Sequence, residues 1–208
     1  MEIVRNKLRL NWKLAMVFNR KISNIYAITL NTSLNYTLIK RVIIEHRISI
    51  LQYRRKINDD NIKLKEAYAL RLLCLEHNTL FIINDDINLA EKVHADGVHL
   101  GKNDSSIQQA RQQLGDATII GVSCYDNIDL ALQAQNQGAN YVAFGALFDS
   151  NTKPDAPHCP LSLITKAKQI LHIPIIGIGG IDFHNQQQAF DAGCNAVAMI
   201  NTLFKSRH

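Results

Sequence analysis

The chain has 208 residues, 47% of them hydrophobic and 20% charged, a size and composition that suit one soluble globular domain. Its net charge of +5 comes from the first 21 residues, where Arg5, Lys7, Arg9, Lys13, Arg20 and Lys21 oppose only Glu2. The balanced remainder removes any general argument for nucleic-acid binding, and no apolar run approaches the roughly 18 residues of a membrane span.

The basic segment, residues 1–24, stands apart from the rest of the chain. Arg5, Arg9 and Lys13 share one helical stripe, with Leu8, Trp12, Leu14 and Val17 available to pack. This predicts a short helix across the outside or bottom of the fold. The segment lacks the long apolar core and small-residue cleavage site of a secretory signal, so a cytoplasmic location is expected. Cys74, Cys124, Cys159 and Cys194 are scattered, with no Cys-x-x-Cys pair, which fits reduced thiols in that compartment. His94 and His99 have no cysteine or second histidine pair nearby, so they read as core or surface histidines and not as zinc ligands.

From residue 25 onward, short β-rich runs alternate with helical patterns. Strands are predicted at Tyr26–Leu30, Ile48–Arg54, Thr79–Asn84, Gly97–Leu100, Thr118–Ser123, Tyr141–Gly145, Pro174–Ile178 and Ala196–Ile200. Helices are predicted at Asn61–His77, Ile87–His94, Ser105–Leu114, Asn127–Gln137, Leu161–Leu171 and His184–Ala192. Gly115, Gly138 and Gly193 suit helix C-termini. Eight strands in this alternation predict an α/β fold, a single (β/α)8 TIM barrel over residues 25–208 with the basic segment as an extension. The runner-up, an open doubly wound sheet, lacks a Gly-x-Gly-x-x-Gly after its first strand.

In such a barrel the functional groups gather at the carboxyl ends of the strands. Side-chain alternation turns Gln52, Arg54 and Lys56 of the second strand to one face, an anion site in which Arg54 could grip phosphate in two-pronged fashion. The third and fourth strands end in Asn84, Asp85 and Asp104. Two carboxylates on neighbouring strand ends suit Mg²⁺, which takes one or two protein carboxylates and completes its shell with phosphate and water. The alternative for Asp85 and Asp104 is helix capping. Ser123 ends the fifth strand, and the loop after the sixth carries Ser150, Thr152 and Lys153. The glycines of Ile178-Gly-Gly-Ile181, with Ile200 and Asn201 after the eighth strand, form the arrangement in which backbone amides hold a phosphate. One rim thus carries a cationic, metal-assisted anion site and a second site made of amides. No Cys-His or Ser-His-Asp set stands out for covalent catalysis. Departure of pyrophosphate from carbon needs metal, Arg and Lys but no strong base.

These residues bring a family into view. QYRRK, IINDD, ADGVHLGKND, GVS, the GALFDSNTK loop, IPIIGIGGI and VAMI occur in order and at family-like spacing, so the chain resembles thiamine-phosphate synthases over about residues 25–204. The resemblance implies joining of hydroxymethylpyrimidine pyrophosphate to hydroxyethylthiazole phosphate through a pyrimidinylmethyl cation, with Mg²⁺ as cofactor. It implies Asp85 and Asp104 as metal ligands, and Arg54, Lys56, Asn84 and Lys153 as pyrophosphate contacts. Gln52 would address the pyrimidine, and Ser123 the reacting centre. Thr152, Gly180, Ile200 and Asn201 would hold the thiazole phosphate, with Ser150 keeping a hydroxyl beside them. Phosphorylated small molecules are the expected partners, with no nucleic acid and no membrane; homo-oligomerisation is left open.

The chain departs from the family pattern at Ala146, Asp149, Ser150, Asn201 and the Pro157-His-Cys-Pro160 stretch, mostly in the loop after the sixth strand. A carboxylate at Asp149 turned inward would repel pyrophosphate. A thiazole tautomerase on the same scaffold would carry His two residues after the fifth-strand Ser, where this chain has Tyr125, and would not need the metal and basic set. A silent barrel that binds thiamine precursors draws only on Asp149 and the altered loop.

Overall fold

In this computed structural model, residues 24–102, 104–149 and 158–204 are described. The strands are β1 (Ile25–Ile28), β2 (Ile50–Tyr53), β3 (Leu80–Asn84), β4 (Gly97–Leu100), β5 (Ile119–Tyr125), β6 (Tyr141–Phe144), β7 (Ile175–Ile178) and β8 (Ala196–Met199). Each pairs in parallel with the next, and β8 pairs with β1 through Ile25–Val197 and Tyr26–Ala198, closing the barrel. The helices are α1 (Tyr36–Glu45), α2 (Asp60–Glu76), α3 (Ile87–Lys92), α4 (Ile107–Leu114), α5 (Ile128–Asn136), α6 (Leu161–Ile170), α7 (Gln186–Ala192) and the short α8 (Asn201–Phe204).

Alternation along the strands sorts the side chains into two cores. Leu51, Phe81, Ile83, Val98, Ile120, Val142, Ile175 and Val197 face outward and are buried under the helices. Tyr26, Ile28, Ile50, Ile82, Ile119, Tyr141, Ile176 and Ala198 fill the barrel interior. Full burial of each large apolar side chain contributes roughly 1.5–3 kcal/mol, so the outer layer supplies much of the driving force for closure. Glycine shapes the inner layer at one point: a Cβ on Gly121 would overlap the ring of Tyr141.

Local chemistry fixes where the helices begin. Asn35, Asp59, Asp86, Ser106 and Asn127 cap α1 to α5, each side chain accepting from a backbone amide three residues on. Ser106 and Gln109 form a reciprocal capping box. Gly115 and Gly193 cap the ends of α4 and α7 with positive φ, and Gly138 comes directly after the cap of α5. The predicted strands exceed the observed ones by one or two residues at several rim ends, where the backbone leaves the hydrogen-bonded ladder. β5 instead runs past Ser123 to Tyr125, with an irregular register between Ser123 and Tyr125. The helix α1 is not among the predicted stretches; its signal is the cap at Asn35. The basic segment lies outside the described residues, apart from Asn24.

Candidate active site

All eight strands point the same way, so their carboxyl ends form one rim. Two residues of the β1–α1 loop hold the end of β2: Thr29 Oγ1 accepts from Arg54 N at 2.9 Å, and Asn31 Oδ1 accepts from Lys56 N at 2.6 Å. This pins the backbone that carries Arg54 and Lys56. The positive charges of both act on Asp85. Arg55, between them, turns outward to Glu66 at 3.4 Å, where Tyr53 also donates its hydroxyl at 2.7 Å. Arg55 is thus held in a structural ion pair.

Asp85 adopts φ 65°, and its amide donates to the His99 carbonyl at 2.9 Å. Burial, and then the hydrogen bond and negative charge of Asp104, push its carboxyl up to about 6; Lys56 and Arg54 act in the opposite direction. Asp104 Oδ2 also accepts from Gly101 N at 2.6 Å, which folds the loop back so that its carboxylate meets Asp85. Neither residue caps a helix: the caps of α3 and α4 are Asp86 and Ser106. The capping alternative is thereby overturned. Two carboxylates forced together beside cationic groups form a donor set that fits a hard divalent cation. Among the described residues no cluster of three or more His, Cys, Asp or Glu could hold a metal, so a zinc-type cage is not formed there. A cavity of about 300 Å³ opens on the outer side of Asp85, walled by Tyr53, Arg55, Lys56, Lys63, Asn84 and Asp86; neither Arg54 nor Asp104 lines it, so it is not the space between the two carboxylates.

Deeper in the barrel lies a polar chain that the sequence motifs do not reveal. Gln52, only 3% exposed, donates from Nε2 to Tyr26 Oη at 2.9 Å. Tyr26 Oη lies 2.8 Å from Tyr141 Oη, which lies 3.1 Å from His99 Nδ1. His99 Nε2 is 2.8 Å from Ser123 Oγ. This is a Ser-His contact without an Asp, so the reading that no Ser-His-Asp set is present is not contradicted. It differs from a hydrolase triad, because the second ring nitrogen faces a tyrosine hydroxyl and not a carboxylate. Burial also pushes the imidazole down to about 4, too weak a base to activate a serine at neutral pH. His99 is a core histidine, as its sequence context suggests. The signal available in sequence is the inward parity of His99, Tyr26 and Tyr141 on their strands, three polar groups inside a barrel.

On the opposite side of the rim, Gly179 and Gly180 take φ 95° and 64°. A Cβ on Gly180 would strike the backbone of Phe148 and Asp149, so the loop after β6 can rest on it only because the side chain is absent. Asn185 Nδ2 donates to the Gly180 carbonyl at 2.8 Å, and Thr202 Oγ1 donates to the Ile181 carbonyl at 3.2 Å, tying the β7 loop to α8. Ile200 and Asn201 sit where β8 passes into α8. Asp149 is exposed. Ser150, Thr152 and Lys153 lie outside the described residues. Gln52, Arg54, Lys56, Asn84, Asp85, Asp104 and Ser123 thus gather over β2 to β5, while Gly180, Ile200 and Asn201 lie over β7 and β8.

Fold and rim together define a (β/α)8 barrel of the enzyme class, with Arg54, Lys56, Asp85 and Asp104 at its carboxyl end. A family model described as thiamine monophosphate synthase matches residues 25–203, and the chain belongs to that family. It is 47% identical over 159 residues to the thiamine-phosphate synthase of Nitrosococcus oceani, covering 76% of this chain and 73% of that one. It is 44% identical over 186 residues to the thiamine-phosphate synthase of Azoarcus sp. (strain BH72), covering 88% of this chain and 90% of that one. Among solved structures, thiamine phosphate pyrophosphorylase from Pyrococcus furiosus superposes with a TM-score of 0.80 at 28% identity, over 90% of this chain and 89% of that one.

Proposed function

We propose that the carboxyl rim joins hydroxymethylpyrimidine pyrophosphate to hydroxyethylthiazole phosphate, releasing pyrophosphate and forming thiamine phosphate. Thiamine-phosphate synthase activity follows from membership of the family; the roles given to single residues are our own reading. The observation that carries it is the Asp85–Asp104 pair, freed from capping and set beside Arg54 and Lys56.

Asp85 and Asp104 would hold Mg²⁺, with pyrophosphate oxygens completing its shell. When bound, the metal offsets the negative charge that builds on the departing pyrophosphate. Arg54, Lys56, Asn84 and Lys153 would bind the same group, Arg54 through paired N–H donors. Gln52 and Ser123 would orient the pyrimidine. Ser150, Thr152, Gly180, Ile200 and Asn201 would hold the thiazole phosphate, keeping its ring nitrogen within reach of the pyrimidine carbon. Bond breaking would run ahead of bond making: the C–O bond to pyrophosphate cleaves to a pyrimidinylmethyl cation, which the thiazole nitrogen captures. No general base is required, in keeping with the low basicity of His99.

No helix among the described residues is long and apolar enough to cross a membrane. The free, buried cysteines Cys74, Cys124, Cys159 and Cys194 support a cytoplasmic location. Purified protein incubated with both substrates and Mg²⁺ should yield thiamine phosphate and one equivalent of pyrophosphate. Absence of product from folded protein would overturn the reading.

A further inference from the structure

Proton counting along the buried chain gives it a direction. A phenol has one proton to donate, and a neutral imidazole has one N–H and one lone pair in the ring plane. Gln52 Nε2 donates to Tyr26 Oη, so the Tyr26 proton turns to its other neighbour, Tyr141 Oη. The Tyr141 hydroxyl, already accepting, places its proton on His99 Nδ1. His99 then carries its own proton on Nε2, which points at Ser123 Oγ. Ser123 accepts there, and its hydroxyl proton is left to face the rim.

We infer that the barrel interior is a one-way hydrogen-bond relay that commits Ser123 to donating toward the substrate, with Tyr26, Tyr141 and His99 as positioning residues. The inference rests on the proposed function, in which Ser123 faces the reacting substrate. The chemical partner this selects is an acceptor atom, such as an unprotonated pyrimidine ring nitrogen, in preference to an amino group. The geometry keeps the relay rigid: His99 and Tyr141 stack with centroids 5.6 Å apart and planes at 20°, and Tyr26 meets Tyr141 edge-on at 5.9 Å and 70°. Gly121 makes room for the Tyr141 ring. Gln52 sets the polarity, since turning its amide over would present an acceptor to Tyr26 and reverse every bond in the chain.

Long-range ¹⁵N–¹H correlation on the full chain reads the tautomer of His99 directly. The relay predicts a single Nε2–H form across neutral pH; an Nδ1–H form would overturn it. Tyr26→Phe keeps the ring and removes one proton from the chain. With an unchanged circular dichroism spectrum, it should turn His99 into a mixture of tautomers and lower kcat about tenfold, the size of one lost hydrogen bond. KM for the thiazole phosphate should stay the same. An unchanged tautomer and unchanged kcat in this variant would sink the relay. Failure of the underlying functional reading looks different: a wild-type protein that shows the Nε2–H form but makes no thiamine phosphate keeps the relay and loses the substrate.

Discussion

Asp85 and Asp86 are consecutive, yet only Asp86 caps a helix: its Oδ1 accepts from Leu89 N at 2.9 Å, whereas Asp85, at φ 65°, turns to Asp104. The two should therefore fail differently. Asp85→Ala and Asp104→Ala are expected to lower kcat/KM on the order of 10²-fold, the scale of removing one electrostatic stabiliser of a leaving group. Extra Mg²⁺ should restore only part of it. Asp86→Ala should instead lose about 1 kcal/mol of folding stability, as other helix caps do. Urea titration beside steady-state kinetics separates the two outcomes, and equal kinetic losses at both positions would refute the division of labour.

The same pair makes stability depend on pH. Asp85 holds its proton up to about 6 in the folded metal-free protein, against an ordinary value of 3.8. Between those values the folded state binds more protons than the unfolded one, so stability falls as pH rises through this window. Above about 6 the full penalty is present; below about 4 it is absent. Asp85→Asn removes the ionisation and should flatten the metal-free stability profile between pH 4 and 6. Mg²⁺ should raise the Tm of the wild type above pH 6 and leave that of Asp85→Asn nearly unmoved, because only a ligand that binds the folded state stabilises it. An equal Mg²⁺ response in both proteins would remove Asp85 from the metal site.

Neighbouring arginines offer a second contrast. Arg54→Lys replaces a two-pronged donor with a point charge and should lower kcat/KM about tenfold, or 1.4 kcal/mol. Arg55 faces Glu66, whose carboxylate also accepts from Tyr53. Glu66→Ala leaves that guanidinium and phenol without their buried acceptor and should lower stability by about 3 kcal/mol, with KM for either substrate little changed. Unaltered kinetics in Arg54→Lys would move Arg54 out of the site.

Much of this was legible in the sequence because its signals are local. Alternation of β-rich runs with helical patterns predicted the closed barrel. Strand parity also predicted one face for Gln52, Arg54 and Lys56, but β2 ends at Tyr53 and the alternation does not carry on to Lys56, which shares a cavity wall with Tyr53 and Arg55. The rim acids stood out because Asp after an apolar run ends a strand. Which residue caps a helix depends on local φ, so capping by Asp85 and Asp104 stayed open in the sequence, and the structure gives that role to Asp86 and Ser106. The Gln52–Tyr26–Tyr141–His99–Ser123 chain stayed hidden for another reason. Its members sit on five different strands, with Tyr26 and Tyr141 115 positions apart, and barrel closure alone brings them together. The Ser-His contact was missed for the same cause: β4 and β5 must lie in register for His99 to reach Ser123.

Gly121 tests how tightly that interior is packed. Its backbone sits against the Tyr141 ring, so the Cβ of Gly121→Ala would occupy space that the ring already fills. Tyr141 is fully buried, pinned by Tyr26 on one side and stacked on His99 on the other, and cannot swing away without breaking both contacts. Overpacking a core in this way usually costs about 1–3 kcal/mol. Gly121→Ala should show that loss in urea, together with a drop in kcat larger than any change in KM for the thiazole phosphate, because the displaced ring carries His99 and Ser123 with it. The double variant Gly121→Ala, Tyr141→Phe checks the cause. The Cβ would meet ring carbons that phenylalanine keeps as well as the hydroxyl, so the phenyl should recover little of the stability and none of the activity, since the Tyr141 hydroxyl is gone. A Gly121→Ala protein as stable and as active as the parent would show that the ring has room to move.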